Sequence, residues 1–157
     1  MIVGAKIRIT GHLAMPKRQL AEIEKRAFVT AMRLWHREML PKHFEEGADN
    51  VYKYERRTRR YVERKQRQKG HKRPLVWSGA SRDMALRKIE IRPTKKQTKG
   101  IVHVAKAFNF SGRFGMPDMK AEVSKILKRE ACVIRKVIGD EVAKGLSADV
   151  SVKVVTI

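Results

Sequence analysis

Cysteine, acidic residues and long apolar runs are scarce in this sequence, and each shortage excludes a class of protein. Cys132 is the single cysteine among 157 residues, so no internal disulfide can form and no oxidising compartment is required. No apolar run approaches the roughly 20 residues that span a bilayer. The stretch Met1–Thr10 includes Lys6 and Arg8 within its apolar residues and differs from a signal peptide. We therefore expect a protein that is made and kept in the cytoplasm, with no membrane partner.

The shortage of acidic residues leaves a large positive charge. There are 37 Lys and Arg residues against 16 Asp and Glu residues, which gives a formal net charge of +21. Such an excess favours contact with nucleic acid or with an acidic protein face, and it makes the free subunit repel itself. Hydrophobic residues make up 42% of the chain, which is typical of a folded protein. The length predicts a single domain at 1–157.

Hydrophobic periodicity predicts the elements of this domain. Alternating residues indicate strands, and apolar residues at steps of three and four indicate amphipathic helices. In chain order we predict a strand at 2–10, a long helix at 17–40, a brief helix at 81–86, an antiparallel hairpin of strands at 87–94 and 100–108, a second long helix at 118–146 and a final strand at 149–157. This order predicts an α+β fold, with two long helices packed on a small, mainly antiparallel sheet.

The segment 48–73, after the first long helix, interrupts this pattern with clustered charge. Its basic residues are offset by few acids, and like charges at this density keep a segment away from a core. All three tyrosines of the chain are interleaved with them. We expect a protruding basic arm or loop, with a helical stretch at 55–68, that contacts a partner or DNA through Tyr52, Tyr54, Arg56, Arg57, Arg59, Arg60, Tyr61, Arg64, Lys65, Arg67, Lys69, Lys72 and Arg73.

No constellation in the sequence predicts catalysis, a metal or a cofactor. His36 and His43 are two helical turns apart, about 10 Å along a helix axis, which is too far for both to bind one ion. Pro41 interrupts the helix between them. Glycine-rich phosphate loops and complete nucleophile elbows are missing from the sequence. We expect Cys132 to be a small packing residue. We expect no enzyme, no metal site and no cofactor.

Residues from His43 to Gly79 resemble a family. The pattern is His-Phe, then Tyr-x-Tyr-x-x-Arg-Ser/Thr-x-x-Tyr-x-x-x-Lys, a basic stretch, and Pro-Leu-Val-x-Ser/Thr-Gly. The matching residues are His43, Phe44, Tyr52, Tyr54, Arg57, Thr58, Tyr61, Lys65, Pro74, Leu75, Val76, Ser78 and Gly79. This pattern, about a quarter of the chain, resembles the virion-morphogenesis family of tailed bacteriophages, which includes tail-completion, neck and head–tail joining proteins.

The resemblance implies a non-enzymatic structural protein of the virion neck or tail. Its copies would form a ring, a hexamer or a dodecamer, around the DNA channel, after assembly in the host cytoplasm. Its partners would be itself, adjacent neck, head-completion or tail-tube proteins, and genomic DNA in the channel. The strand at 149–157 has no counterpart in the pattern. The position is therefore left open between tail terminator, head-completion and tail-completion component.

The basic arm suggests how such subunits would join. Arg side chains pair with carboxylates and stack on tyrosines, and Tyr and Arg anchor many interfaces. If the arm grips a neighbour, deletion of 52–73 should leave a folded subunit that cannot assemble. The alternative is a sequence-independent nucleic-acid-binding module, because clustered Lys and Arg with interleaved Tyr also suit phosphates and bases. A metal-dependent nuclease is the third hypothesis, and it lacks a ligand cluster.

Overall fold

The computed structural model describes residues 5–10, 16–93, 98–104, 117–146 and 151–156, and it confirms the α+β class. The regular elements in chain order are β1 (Ala5–Thr10), α1 (Lys17–Leu34), a π-helical turn (Trp35–Met39), a 3₁₀ helix (Leu40–Phe44), α2 (Ala48–Val51), α3 (Arg59–Lys69), α4 (Ala80–Arg87), β2 (Ile89–Pro93), β3 (Thr98–Val102), α5 (Met119–Val123), α6 (Lys128–Gly145) and β4 (Ser151–Thr156).

The backbone separates into two compact units where the sequence predicts one domain. Unit 1 contains His36–Ile89 and Val102–Ile126, and unit 2 contains Ile2–Trp35, Glu90–Ile101 and Leu127–Ile157. In the described part of the chain, the strands form two separate two-stranded sheets, β1 with β4 and β2 with β3. The predicted strand at 100–108 ends at Val102, and its residues beyond 104 lie outside the described ranges.

Unit 2 is built from the two long helices and the β1–β4 sheet. Helix α1 buries Ile23, Ala27 and Ala31, which recur at steps of four and form its inner face. Helix α6 packs against α1 and buries Ile134, Ile138 and Val142 at the same spacing. Strand β4 also packs against α6. It is antiparallel to β1, with Ala5 opposite Thr156.

The first predicted helix changes its hydrogen-bond pattern before its expected end at residue 40. The α-helix ends at Leu34 and continues as a π-helical turn, and the 3₁₀ helix begins at Leu40. Pro41 has no N–H to donate, and its ring would clash with the carbonyl four residues earlier, so α-helical geometry cannot continue through this point.

The second predicted helix, 118–146, is broken in two. Asp118 begins the first piece as expected, since its Oδ1 accepts hydrogen bonds from the backbone N–H groups of Lys120 and Ala121. That piece ends at Val123, and α6 starts only at Lys128. The Glu130 carboxylate accepts the Leu127 N–H at 3.0 Å, which satisfies a donor at the new helix start. The expectation of one continuous helix is therefore wrong.

Unit 1 has a core made from short helices. The 3₁₀ helix buries Leu40 and Phe44, α2 buries Ala48, α4 buries Ala85 and α5 buries Val123. The His36 imidazole donates a hydrogen bond from Nε2 to the Ala85 carbonyl at 2.9 Å, which connects the π-helical turn to α4. The Pro74–Val76 segment returns to this core, with Leu75 and Val76 both buried.

Candidate functional site

A stacked aromatic cluster lies at the centre of unit 1. The ring centroids of His43 and Tyr52 are 3.8 Å apart, and the Tyr54 hydroxyl lies 2.5 Å from His43 Nδ1. His43 is fully buried, and Tyr52 and Tyr54 are nearly so. Burial lowers the pKa of His43 to about 4, although a hydrogen bond with the Glu122 backbone opposes this shift. The imidazole is therefore neutral at pH 7, and the stacked rings form part of the core of unit 1.

A buried ion pair holds the chain beyond Tyr54. The Arg57 guanidinium donates from Nη1 and Nη2 to the two oxygens of Glu122, at 2.9 and 2.5 Å. Glu122 Oε1 also accepts the backbone N–H of Glu55 at 2.9 Å. The side chain of Glu122 is only 5% exposed, and that of Arg57 is 22% exposed. Planar bidentate pairing of this kind is specific to arginine and stabilises one chain path.

Lys53, between the two buried tyrosines, adopts a left-handed backbone with φ of 52°. Its carbonyl accepts a hydrogen bond from the Lys125 ammonium at 2.5 Å, and the same ammonium lies 5.6 Å from the centre of the Tyr54 ring. The residues after α5 therefore hold the Tyr52–Tyr54 segment in place.

Helix α3 has a capped start and a glycine end. Thr58 Oγ1 accepts the Tyr61 N–H at 3.3 Å, and Gly70 ends the helix in the left-handed conformation at φ of 71°. Lys65 lies on its inner face, is buried, and donates to the Arg73 carbonyl. Burial, with the nearby positive charge of Arg57, lowers the pKa of Lys65 to about 8.

These contacts correct the expectation of an exposed arm at 48–73. The segment contains α2 and α3, and Tyr52, Tyr54 and Lys65 are buried within their own unit. Arg57 is paired with Glu122. Charge density alone predicted exposure, but Glu122 neutralises the guanidinium closest to the core, so the chain can pack inward there. These four residues do not form a free surface.

The outer side of the same segment remains exposed and basic. Arg59 pairs with Glu63 at 2.7 Å, but the Arg59 side chain is 93% exposed, so solvent screens the pair. We define the basic face as the exposed cationic residues at 56–73, which are Arg56, Arg59, Arg60, Arg64, Arg67, Lys69, Lys72 and Arg73.

Half-buried aromatic rings border the basic face. The ring centroids of Tyr61 and Trp77 are 5.8 Å apart and tilted by 36°. The Arg64 guanidinium lies 5.9 Å from the Tyr61 ring centre and 5.5 Å from that of Trp77. The Lys69 ammonium is 5.7 Å from Trp77. Aromatic faces and cations are therefore combined on one accessible surface.

A cleft of about 780 Å³ opens beside these rings. Its lining includes apolar groups from Tyr61, Leu75, Trp77 and Met119. Basic residues at the cleft are Arg56, Arg57, Arg64, Lys65 and Lys72, and acidic residues are Glu46, Asp49 and Glu55. The cleft thus combines apolar surface with charged side chains of both signs.

Across the described residues, no group of three or more His, Cys, Asp or Glu side chains is placed so that it could hold a metal ion. Cys132 is exposed on α6, where we expected a packed filler residue. Over the described ranges, none of the helices is both long and apolar enough to cross a bilayer.

Glu122 and Trp77 are among the residues of this site that sequence reasoning missed. Glu122 lies three positions after Met119 and one before Val123, so it occupies an inward position of an apolar helical stripe. A carboxylate at such a position is a signal for a buried partner cation. Trp77 gave a weaker signal, because it lies next to Val76 in a short apolar stretch.

Comparison of the chain with protein-family models, with curated proteins and with solved structures finds no match to any of them.

Proposed function

We propose that this chain is a non-enzymatic structural subunit of a tailed-bacteriophage neck or tail, and that it assembles with copies of itself around the DNA channel. The proposal rests on the resemblance of residues His43 to Gly79 to the virion-morphogenesis family. Tail terminator, head-completion and tail-completion roles all fit it.

The internal contacts of unit 1 support this proposal, because the residues that match the family pattern stabilise the fold of this unit. His43, Tyr52 and Tyr54 stack in the core, and Arg57 binds Glu122. Thr58 caps the start of α3, and the Lys65 ammonium donates a hydrogen bond from α3 to the Arg73 carbonyl. These residues contact one another inside the subunit. Such contacts are what we expect of a structural protein, whereas the shared residues of an enzyme would meet at a substrate site.

The basic face is the observation that supports an assembly role most directly. Its cations lie on α3, in the turn after it and, at Arg56, just before it, while the inner side of the same helix packs within unit 1. At a net charge of +21 a free subunit repels itself. Contact with an acidic protein surface, or with DNA, relieves that repulsion, whereas an isolated monomer gains nothing from the cluster.

Deletion of 52–73 is no longer a suitable test, because it would remove buried residues of unit 1. Instead we compare Arg60→Glu/Arg67→Glu on α3 with Arg26→Glu/Arg33→Glu on α1. All four side chains are exposed, and both pairs are seven residues apart on a helix. Both variants change the charge equally.

Electron microscopy and mass photometry of purified protein measure the outcome. We expect rings from the wild type and from the α1 variant, and only monomers from the α3 variant, with unchanged far-ultraviolet circular dichroism. If both variants assemble equally well, the basic face is not part of the subunit interface. Wild-type protein that stays monomeric at all concentrations, alone and with added DNA, would contradict the ring itself.

A sequence-independent nucleic-acid-binding role is the second candidate, favoured by the Tyr61–Trp77 rings beside Arg64 and Lys69. A gel shift at increasing salt separates it from the first. A binding module loses affinity with a slope of about −0.9 in log affinity per log salt for every phosphate it neutralises on duplex DNA. Weak binding with a shallow slope favours the structural role, and tight binding with a steep slope favours the module.

A further inference from the structure

The cleft beside Tyr61 and Trp77 has the dimensions of a binding site. Its volume of about 780 Å³ lies within the range of about 300–1,000 Å³ that is usual for ligand clefts. It is bounded by α3 on one side and by the Pro74–Trp77 segment on another, both of which belong to unit 1. Its walls include the Tyr61 and Trp77 rings and the Leu75 and Met119 side chains, so an apolar group of an occupant has a surface to contact.

The charges around the cleft are unevenly placed. Arg57 is paired with Glu122 and Lys65 is buried, which leaves Arg56, Arg64 and Lys72 as the exposed cations at the cleft. Glu46, Asp49 and Glu55 oppose them. Arg64 is exposed and belongs to α3, whereas none of the three carboxylates does. The positive charge is therefore richest on the α3 side, next to the aromatic rings.

The residue types at this end are those that dominate protein interfaces. Tyr, Trp and Arg are enriched among residues whose truncation costs most binding energy. Tyr61 and Trp77 are half-buried, so each ring is supported by its own unit and still presents surface. Arg64 lies within cation–π distance of both rings. An incoming carboxylate can pair with Arg64 while an apolar side chain contacts the rings.

The acidic residues at the cleft disfavour nucleic acid as the occupant. A nucleic-acid strand has a phosphate at every nucleotide, so some phosphates would lie against Glu46, Asp49 or Glu55. A peptide can place its carboxylates near Arg64 and Lys72 and keep uncharged residues near the acids. This sequence offers no strongly acidic segment of its own, because its longest acidic runs are the pairs Glu45–Glu46 and Asp140–Glu141. A different protein can supply such a segment.

We propose that this cleft binds an extended acidic segment of a different protein, with an aromatic or leucine side chain against Tyr61 and Trp77 and flanking carboxylates on Arg64 and Lys72. The inference rests on the proposed assembly function, since the segment would belong to another component of the particle. It names the chemistry of that partner and not its identity.

Fluorescence anisotropy with a labelled synthetic peptide tests the proposal on the full chain. The probe has one phenylalanine between two pairs of glutamates. Its first control replaces the glutamates with glutamines, and its second replaces the phenylalanine with glycine. A labelled oligothymidine of the same net charge represents nucleic acid. We expect the acidic peptide to bind at least tenfold more tightly than either control peptide, and more tightly than oligothymidine at equal salt.

The protein variants are Arg64→Glu and Trp77→Ala, with Arg26→Glu on α1 as the matched control of equal charge change. We expect each cleft variant to weaken peptide binding at least tenfold and the control to change it less than twofold. Arg64→Gln keeps the test valid if Arg64→Glu does not fold, and we expect about a fivefold loss from it.

Three results would overturn the proposal: no binding of the acidic peptide, equal binding in all variants, or tighter binding of oligothymidine that the cleft variants abolish. The last result would make the cleft a nucleic-acid site. Mass photometry of the same samples reports ring formation separately. Rings without peptide binding refute the cleft proposal alone, and peptide binding without rings refutes the ring alone.

Discussion

Removal of Arg57 should destabilise unit 1 more than removal of any exposed arginine of the same segment. In Arg57→Ala, the Glu122 carboxylate loses both guanidinium hydrogen bonds and keeps the Glu55 N–H. It stays nearly buried, with a side chain that is 5% exposed. Loss of one partner from a buried pair costs about 3–5 kcal/mol. Arg57 is itself 22% exposed, so water can enter its place, and we expect the lower end, about 3 kcal/mol.

Arg59→Ala is the matched control. Its partner Glu63 is 52% exposed and Arg59 is 93% exposed, so the pair is screened by water. Exposed pairs of this kind contribute about 0–1 kcal/mol. The two arginines are two positions apart, and each is paired with one carboxylate in unit 1. The difference between the variants therefore measures burial and not the count of charges.

Urea unfolding followed by circular dichroism gives both free energies. Glu122→Gln and the double variant Arg57→Met/Glu122→Met complete the series. We expect Glu122→Gln to destabilise by about 2 kcal/mol and the double variant to recover most of the loss, because no buried charge remains in it. If Arg57→Ala and Arg59→Ala lower the unfolding midpoint equally, the pair does not hold unit 1 together and the reasoning fails.

Further predictions concern pH and glycine positions. Because the pKa of His43 is about 4 in the folded chain and 6.5 is its ordinary value, unfolding takes up a proton below pH 6.5. The free energy of unfolding should therefore fall by up to about 3 kcal/mol between pH 6.5 and 4. In His43→Phe, urea unfolding at several pH values should show a smaller fall. An equal fall in both proteins would contradict this role of His43. Gly145→Ala places its Cβ 2.7 Å from Ile23 Cγ2 and should lower the melting temperature, because overpacking costs about 1–3 kcal/mol. Ile23→Ala, which removes every Ile23 atom in this close contact, should relieve that overpacking. Gly70→Ala meets no atom within 4 Å but has φ of +71°, so a loss of about 1 kcal/mol that no second-site change relieves is expected.

Much of the fold could be predicted because local sequence encodes it. Alternation located β1 and β4, the Leu and Ile spacing located α1, and Asp118 marked a helix start. The break before α6 escaped prediction because Val123, Ile126 and Leu127 keep helical spacing across it. The new helix start depends on the hydrogen bond from the Leu127 N–H to the Glu130 carboxylate. Hydrophobic periodicity does not reveal such a polar contact.

The candidate site was predicted in part. The basic face on α3 follows from charge density, and its helical stretch was expected at 55–68 and found at Arg59–Lys69. The burial of Tyr52 and Tyr54 was missed because it depends on Glu122 and Lys125, which are distant in sequence. Local patterning cannot identify such partners. The contacts of the basic face with other molecules stay predictions.

The pairing of β1 with β4 has a consequence for biosynthesis. Ala5 pairs with Thr156, so these two strands are separated by nearly the whole described chain. Ala5–Thr10 is translated well before Ser151–Thr156, so the hydrogen-bonding edge of β1 lacks this partner until Ser151–Thr156 has been made. Closure of this sheet joins residues far apart in sequence and is therefore a folding step of high contact order. Until it closes, β1 presents an open edge at which nascent chains can pair with one another and aggregate.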